Sequence, residues 1–268
     1  MEKEHGKPDQ EKTSEEMEWE NLFQEKPDEE WEKQNQRRKR RKSLTFKIIG
    51  SLLAFSLVIS SLQVWFDIYN IPALRFLEVS NRLSKLPKVR EYKKSVVTIE
   101  GNGVKGTGFN IDEDGLIVTN EHVVDNTKKV NVQFKTGQIY SGKVISRNKE
   151  LDLAIVDIEA SNLSFLTLSF DQDLDEYVGE KIIFVGNPLA YTQIANEGNV
   201  EGKVFLPGWE VPVLMIDAPV YKGNSGSPVI DNDGKVIGVI FATFTLRENH
   251  KRMGAAIPSS LVKKVLTK

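Results

Sequence analysis

The chain has 268 residues, of which 40% are hydrophobic and 28% charged, so it carries enough apolar side chain to bury a core. Its net charge of -2 sums unlike segments: residues 1–36 are acidic, 37–42 are all Lys or Arg, and the rest is balanced, which argues against a cationic nucleic-acid channel. With no cysteine, disulfides, thiolate metal sites and cysteine nucleophiles are excluded together.

Residues 1–43 form an acidic and then basic tail, broken by Pro8 and Pro27, whose composition predicts disorder. Thr13 and Glu16 have capping-box spacing, and Met17, Trp19, Phe23 and Trp31 would suit a short helix or docking motif. The basic run Arg37 to Lys42 is followed by Ile48 to Phe66, a stretch without a charged residue. About 19 residues at ~1.5 Å each nearly match a hydrocarbon core of ~30 Å, which predicts a transmembrane helix over 44–66. Cations on its N-terminal side put the tail in the cytoplasm and the remainder outside, as a single-pass membrane protein. A cleaved signal peptide is the competing reading, with Ser60 and Ser61 as small residues, but such peptides have a short leading segment and a shorter apolar core. Over 67–87, Pro72 is placed to start a helix, Ala73, Phe76, Leu77, Ser80 and Leu83 form one face, and Pro87 ends it. Both a stalk and a helix packed on the following domain fit this pattern.

From Ser95 the pattern changes to short apolar runs between turn residues. Strands are predicted at 95–100, 108–111, 116–119, 130–134, 138–146, 152–158, 166–169, 181–186, 199–205, 211–216, 228–230, 235–243 and 253–257. Turn signals every 8 to 12 residues make this an all-β sandwich or pair of barrels. Only the C-terminal stretch, 258–267, reads as helix, with Leu261, Val262, Val265 and Leu266 on one side.

A catalytic serine needs a base within reach and a group that orients the base. Of three histidines, His5 lies in the tail and His250 in a charged loop; His122 alone is flanked by apolar strand sequence. Taken alone it fits a structural histidine as well as a base. Asp152 heads the apolar run Leu153 to Val156, where a carboxylate is costly unless paired. Ser225 sits in Gly223-Asn224-Ser225-Gly226-Ser227-Pro228, a stretch that also reads as a plain tight turn. The order His122, Asp152, Ser225 is that of chymotrypsin-type enzymes, unlike subtilisins or α/β-hydrolases. Gly223 permits a backbone that aims its own N–H and that of Ser225 at one point, as an oxyanion hole.

Seven segments taken in order resemble the trypsin-like protease domain of the HtrA (DegP) family. They are Gly106 to Phe109, Thr119 to Val124, Asp152 to Val156, Val185 to Pro188, Gly223 to Pro228, Gly234 to Gly238 and Gly254 to Ser259. The resemblance implies a chymotrypsin-like double β-barrel over 88–268, with barrel one near 95–172 and barrel two near 176–257. It implies His122 as general base, Asp152 as its orienting group and Ser225 as nucleophile in a serine endopeptidase acting on proteins or peptides, with misfolded proteins as substrates. It involves no cofactor or metal, and a homo-trimer is what the family leads one to expect. Two departures stand out: the chain ends soon after Pro258 without the PDZ domain usual in the family, and Ser227 stands where most members have glycine. Glutamyl endopeptidases, which share the Gly-Asn-Ser-Gly-Ser-Pro run, and a catalytically silent binding or chaperone module on the same fold are the alternatives. By analogy the specificity pocket is lined by Pro219, Val239, Ile240, Phe241, Ala242, Thr243, Gly254 and Ala255, predicting a preference for small or medium apolar residues.

Overall fold

A computed structural model describes residues 14, 15, 18, 19, 29–68, 71–246 and 250–266. Most of the predicted tail, with its capping-box pair, lies outside them. The chain divides into two units, 1–69 and 70–268.

In the first unit the helix α1 (Glu29–Ile68) runs for 40 residues. It begins well before the apolar run, because the Glu, Gln, Lys and Arg side chains from 29 to 42 are good helix formers and nothing breaks the backbone there. Residues 29–43, assigned to the disordered tail on composition, are thus its first turns. Leu52, Phe55, Leu57 and Val58 are all exposed, on successive faces of the helix. A helix apolar all round and unburied by protein is suited to a lipid surrounding.

The second unit opens with two helices, α2 (Ile71–Leu83) and α3 (Pro87–Ser95). Phe76, Ser80 and Leu83 are buried, so α2 packs on the domain and does not stand off it as a stalk. Pro87, read as a helix terminator, starts α3 at its first turn, where its fixed φ and missing N–H cost nothing.

Twelve strands follow in two closed antiparallel barrels of six. The first contains β1 (Val96–Gly101), β2 (Val104–Asn110), β3 (Leu116–Thr119), β4 (Lys129–Gln133), β5 (Ile139–Asn148) and β6 (Leu153–Asp157). The second contains β7 (Lys181–Gly186), β8 (Ile194–Val204), β9 (Val213–Asp217), β10 (Pro228–Ile230), β11 (Val236–Thr245) and β12 (Arg252–Pro258). Strand order is β1-β2-β3-β6-β5-β4 in the first and β10-β11-β12-β9-β8-β7 in the second. β1 pairs with β4 and β10 with β7, so neither barrel leaves an open edge there. The double barrel is therefore as the resemblance implied.

Three apolar clusters explain why many strands are apolar on both faces. Val97, Ile99, Ile117, Val132, Ala154 and Val156 fill the first barrel, and Ile182, Phe184, Leu214, Ile216, Val229 and Ile240 the second. Alternate residues of the same strands, among them Val96, Phe109, Val118, Leu153, Ile155, Val185, Val236 and Val239, meet between the barrels. Inter-barrel packing thus replaces the polar face that a half-solvated strand would show. The segment 166–169, predicted as a strand, is a correction: it makes one isolated bridge, Leu168 to Val236. Its apolar alternation comes from Leu166 and Leu168 dipping into the inter-barrel cluster as the chain crosses between barrels. The C-terminal helix is a 3-10 turn (Ser259–Val262) continuing into the short α4 (Lys263–Leu266), with Val262 and Val265 buried in the same cluster.

Candidate active site

His122 and Asp152 are brought together by the register of two neighbouring strands. β3 pairs with β6 so that Thr119 faces Ala154, placing the residues just after β3 beside those just before β6. His122 lies in a 3-10 turn, Glu121–Val123, and Asp152 occupies the left-handed region at φ 47° immediately before β6. Aspartate tolerates that conformation better than a branched residue would. His122 Nδ1 is 2.7 Å from Asp152 Oδ2 and 3.0 Å from Oδ1, and the His122 backbone N–H donates to Oδ1 at 3.0 Å. Asn120 Nδ2 donates to the Asp152 carbonyl at 2.9 Å, fixing the turn from behind. The Asp152 side chain is 17% exposed and that of His122 46%, so one ring edge is open to solvent. The hydrogen bond to Asp152 raises the His122 pKa above its ordinary value; burial opposes this, and the Asp152 and Glu121 charges add to it. The bond to Nδ1 leaves Nε2 as the free, basic nitrogen.

The segment Lys222 to Ser227 is a tight turn whose two glycines are both required. At Gly223 (φ 98°) a Cβ would lie 2.3 Å from the Asn187 carbonyl oxygen, and at Gly226 (φ 86°) 1.9 Å from that of Thr107. Gly226 N–H donates to Ile240 O at 2.7 Å, Asn224 N–H to Tyr221 O at 3.0 Å and Ser227 N–H to Asn224 O at 2.9 Å. The N–H groups of Gly223 and Ser225 donate to no acceptor among the described residues. Lys222 O accepts from Leu189 N–H at 3.0 Å. In a trans peptide the carbonyl and the following N–H point in opposite directions, so this bond turns Gly223 N–H away from Leu189. Ser225 Oγ donates only a long contact, 3.5 Å to Phe241 O, and no hydrogen bond joins it to His122 among the described residues. Such bonds are often absent before substrate binds.

Sequence reasoning missed the residue that ties the two halves together. Thr107, on β2 of the first barrel, is fully buried, and its N–H donates to Ser225 O at 2.8 Å. Its hydroxyl donates to Gly223 O at 2.7 Å and accepts from Asn187 N–H at 3.0 Å. Its carbonyl accepts from Thr119 Oγ1 at 2.7 Å. Thr107 therefore holds the turn on both sides of Asn224. A hydroxyl between two glycines in an apolar strand was the available signal.

The eight residues assigned to a specificity pocket separate into two groups. Val239, Ile240 and Ala255 are fully buried, the first two in different apolar clusters, and belong to the core. A Cβ on Gly254 would press on Ile216 and Val220, so that position is also filled from inside. Pro219 is exposed, while Phe241, Ala242 and Thr243 are half-buried. Phe241 is the extra residue of a β-bulge, since Ile240 pairs with Ala256 and Ala242 with Ala255. Its ring packs on Trp209 at 4.7 Å between centroids. Arg252 Nη2 donates to Thr243 Oγ1 at 3.1 Å, putting a cation at the end of this strand. No cluster of three or more His, Asp or Glu side chains among the described residues is arranged to hold a metal.

A family model described as a trypsin-like peptidase domain matches residues 106–239, half of the chain. A Chlamydia muridarum protein named "Probable periplasmic serine endoprotease DegP-like" is 35% identical over 193 residues, covering 70% of this chain and 38% of that protein. The chain thus spans about two-fifths of the length of the curated relatives it matches. A serine endoprotease from Yersinia pestis superposes with a TM-score of 0.59 at 25% identity, covering 67% of this chain and 64% of that one. The Rv3671c protease in an inactive form gives 0.59 at 26% identity, covering 69% and 93%. The matched residues contain His122, Asp152 and Ser225, and the chain belongs to the trypsin-like peptidase family, with DegP/HtrA-like serine endoproteases among its relatives.

Proposed function

We propose that the chain is a serine endopeptidase in which Ser225 attacks the scissile carbonyl, His122 Nε2 takes the serine proton, and Asp152 holds the imidazole and its charge. The observation that carries this reading is the His122–Asp152 pair at 2.7 Å in the same fold as a turn whose Gly223 and Ser225 N–H groups are unpaired. Those two donors would receive the oxyanion, each being worth about 2.7–4 kcal/mol in the transition state. The tetrahedral intermediate collapses as His122 returns the proton to the departing amine, leaving an acyl-serine that water, deprotonated by His122, hydrolyses. A rotation of the Ser225 side chain from Phe241 O toward His122 precedes the first step. The half-buried stretch Phe241 to Thr243 would take the substrate backbone and prefer small or medium apolar side chains, with Trp209 and Phe241 as wall.

In this reading α1 anchors the enzyme, with the basic run in the cytoplasm and the protease unit outside. Protein substrates, misfolded ones among them, and a homo-trimeric assembly follow from the family. A second reading is a binding module on the same fold, with which the lack of a Ser225–His122 hydrogen bond among the described residues is equally compatible. Labelling with a serine-directed phosphonate separates the two. The full-length wild type in membranes should be labelled and Ser225→Ala should not; equal labelling, or none with either, defeats the endopeptidase reading. The anchor is checked by the mass of the membrane-bound product, where a chain starting near Leu62 would indicate a cleaved signal.

A further inference from the structure

Upstream of everything the family model matches, α2 places one aromatic ring against the loops that shape the nucleophile turn. Phe76 is 1% exposed although it lies on an edge helix. Its ring meets Tyr191 edge-on, at 5.7 Å between centroids and 75°, and Tyr221 at 5.5 Å and 47°. Tyr191 lies two residues after Leu189, and Tyr221 immediately precedes Lys222. The bond from Leu189 N–H to Lys222 O, which turns the Lys222–Gly223 peptide, is therefore flanked by the two tyrosines that Phe76 touches.

That bond needs outside support. Leu189 is held at φ 51° and ψ 38°, a left-handed conformation that is costly for a leucine and persists only where surroundings over-determine it. Its side chain is largely exposed and contributes little anchoring of its own. α2 supplies fixed points on the same side: Ser80 Oγ accepts from Ala195 N–H at 3.1 Å, and Arg82 pairs with Glu197. Helix and loop are thus joined at Tyr191, Ala195 and Glu197, and the nucleophile turn is joined to both at Tyr221.

We infer that α2 is part of the catalytic unit and that Phe76 is a positioning residue, clamping Tyr191 to Tyr221 so that Gly223 N–H stays turned toward the oxyanion. The inference rests on the endopeptidase reading. It makes the segment directly after α1 a determinant of turnover as well as of attachment.

The test compares full-length wild type, Phe76→Ala, Phe76→Tyr and Leu83→Ala in phosphonate labelling, steady-state turnover of a small peptide ester and thermal melting. Leu83→Ala removes a buried side chain of the same helix that belongs to the inter-barrel cluster. Losing an oxyanion donor costs about 100- to 1000-fold in kcat, so Phe76→Ala should lower kcat and labelling by at least about tenfold, with KM within about threefold. Phe76→Tyr should recover most of the rate, and Leu83→Ala should keep it despite a comparable fall in Tm. Should Phe76→Ala not fold, Phe76→Leu, which keeps much of the volume without the ring, carries the comparison. A Phe76 variant as active as wild type, or losses in both helix variants that simply track Tm, overturn the inference. Wild type without Ser225-dependent labelling sinks the endopeptidase reading, and this inference with it.

Discussion

The two halves of the site are held in different ways. His122 and Asp152 need only the first barrel: one strand register, two short turns and three bonds between them set the pair. Ser225 depends on residues from across the chain, with Thr107 holding its backbone from the first barrel and Leu189 turning the peptide before Gly223. Its own hydroxyl has a single 3.5 Å contact. The proposed base is therefore preformed, whereas the proposed nucleophile is only as well placed as the contacts around it, and perturbations of the two halves should differ in kind.

Asp152→Asn breaks the preformed half and carries the largest expected effect here. An amide can hold the ring in the wrong tautomer, and kcat should fall about 10,000-fold by the precedent of serine-protease triads. The pH dependence has a definite sign. The proposed mechanism needs His122 unprotonated, so activity should fall as pH drops through its pKa, which Asp152 raises above the usual 6.5. Without that hydrogen bond and charge the acid limb of kcat/KM should move to lower pH. A pH profile with the limb unmoved would show that Asp152 is not what sets the histidine.

Thr107 tests the dependent half. Thr107→Val deletes the hydroxyl that donates to Gly223 O and accepts from Asn187 N–H, leaving buried groups unsatisfied at about 1–3 kcal/mol each. Melting temperature and kcat should fall together while the acid limb stays where wild type has it, since no group near His122 changes. Thr107→Ser should restore both. A shift of the acid limb in Thr107→Val would mean that the halves are not separable.

This division also explains how far sequence could reach. His122 and Asp152 were legible because each is a polar residue beside an apolar strand, where an unpaired group would be costly and a partner is the simplest remedy. Gly223 and Gly226 could be read as a turn, and the structure adds the carbonyls of Asn187 and Thr107 that leave no room for a side chain. Thr107 shows only a hydroxyl between two glycines, and Phe76 one apolar position on a helix face; neither names its partners, which are set by inter-barrel packing and by a helix docked on β8. Val239 and Ile240 were assigned to the pocket by analogy with the family. The bulge at Phe241 marks where β11 passes from buried to half-buried residues. The run 166–169 misled for the same reason, its alternation reflecting burial between barrels without a paired neighbour.

The smallest effect is expected at Ser227, the departure from the family pattern. Ser227 is fully buried, and its hydroxyl and Asn224 Oδ1 have no hydrogen-bond partner among the described residues. Both crowd the face of Gly186, where a Cβ would lie 2.2 Å from Ser227 Oγ and 2.5 Å from Asn224 Oδ1. Gly186 and Ser227 thus behave as a matched pair, the missing side chain of one making room for the hydroxyl of the other. Gly186→Ala should destabilise by about 1–3 kcal/mol through overpacking. Ser227→Gly alone should stay within about 1 kcal/mol, because losing an unpaired buried hydroxyl offsets the added backbone freedom. In the double variant the cost of the alanine should shrink, giving a coupling of about 0.5–2 kcal/mol in a thermodynamic cycle. Because the Ser227 hydroxyl makes no bond to Thr107 or Leu189 among the described residues, kcat should hold in Ser227→Gly. Additive stabilities would mean that the crowding at Gly186 is relieved elsewhere, and a large loss of kcat would place Ser227 among the contacts that aim the nucleophile.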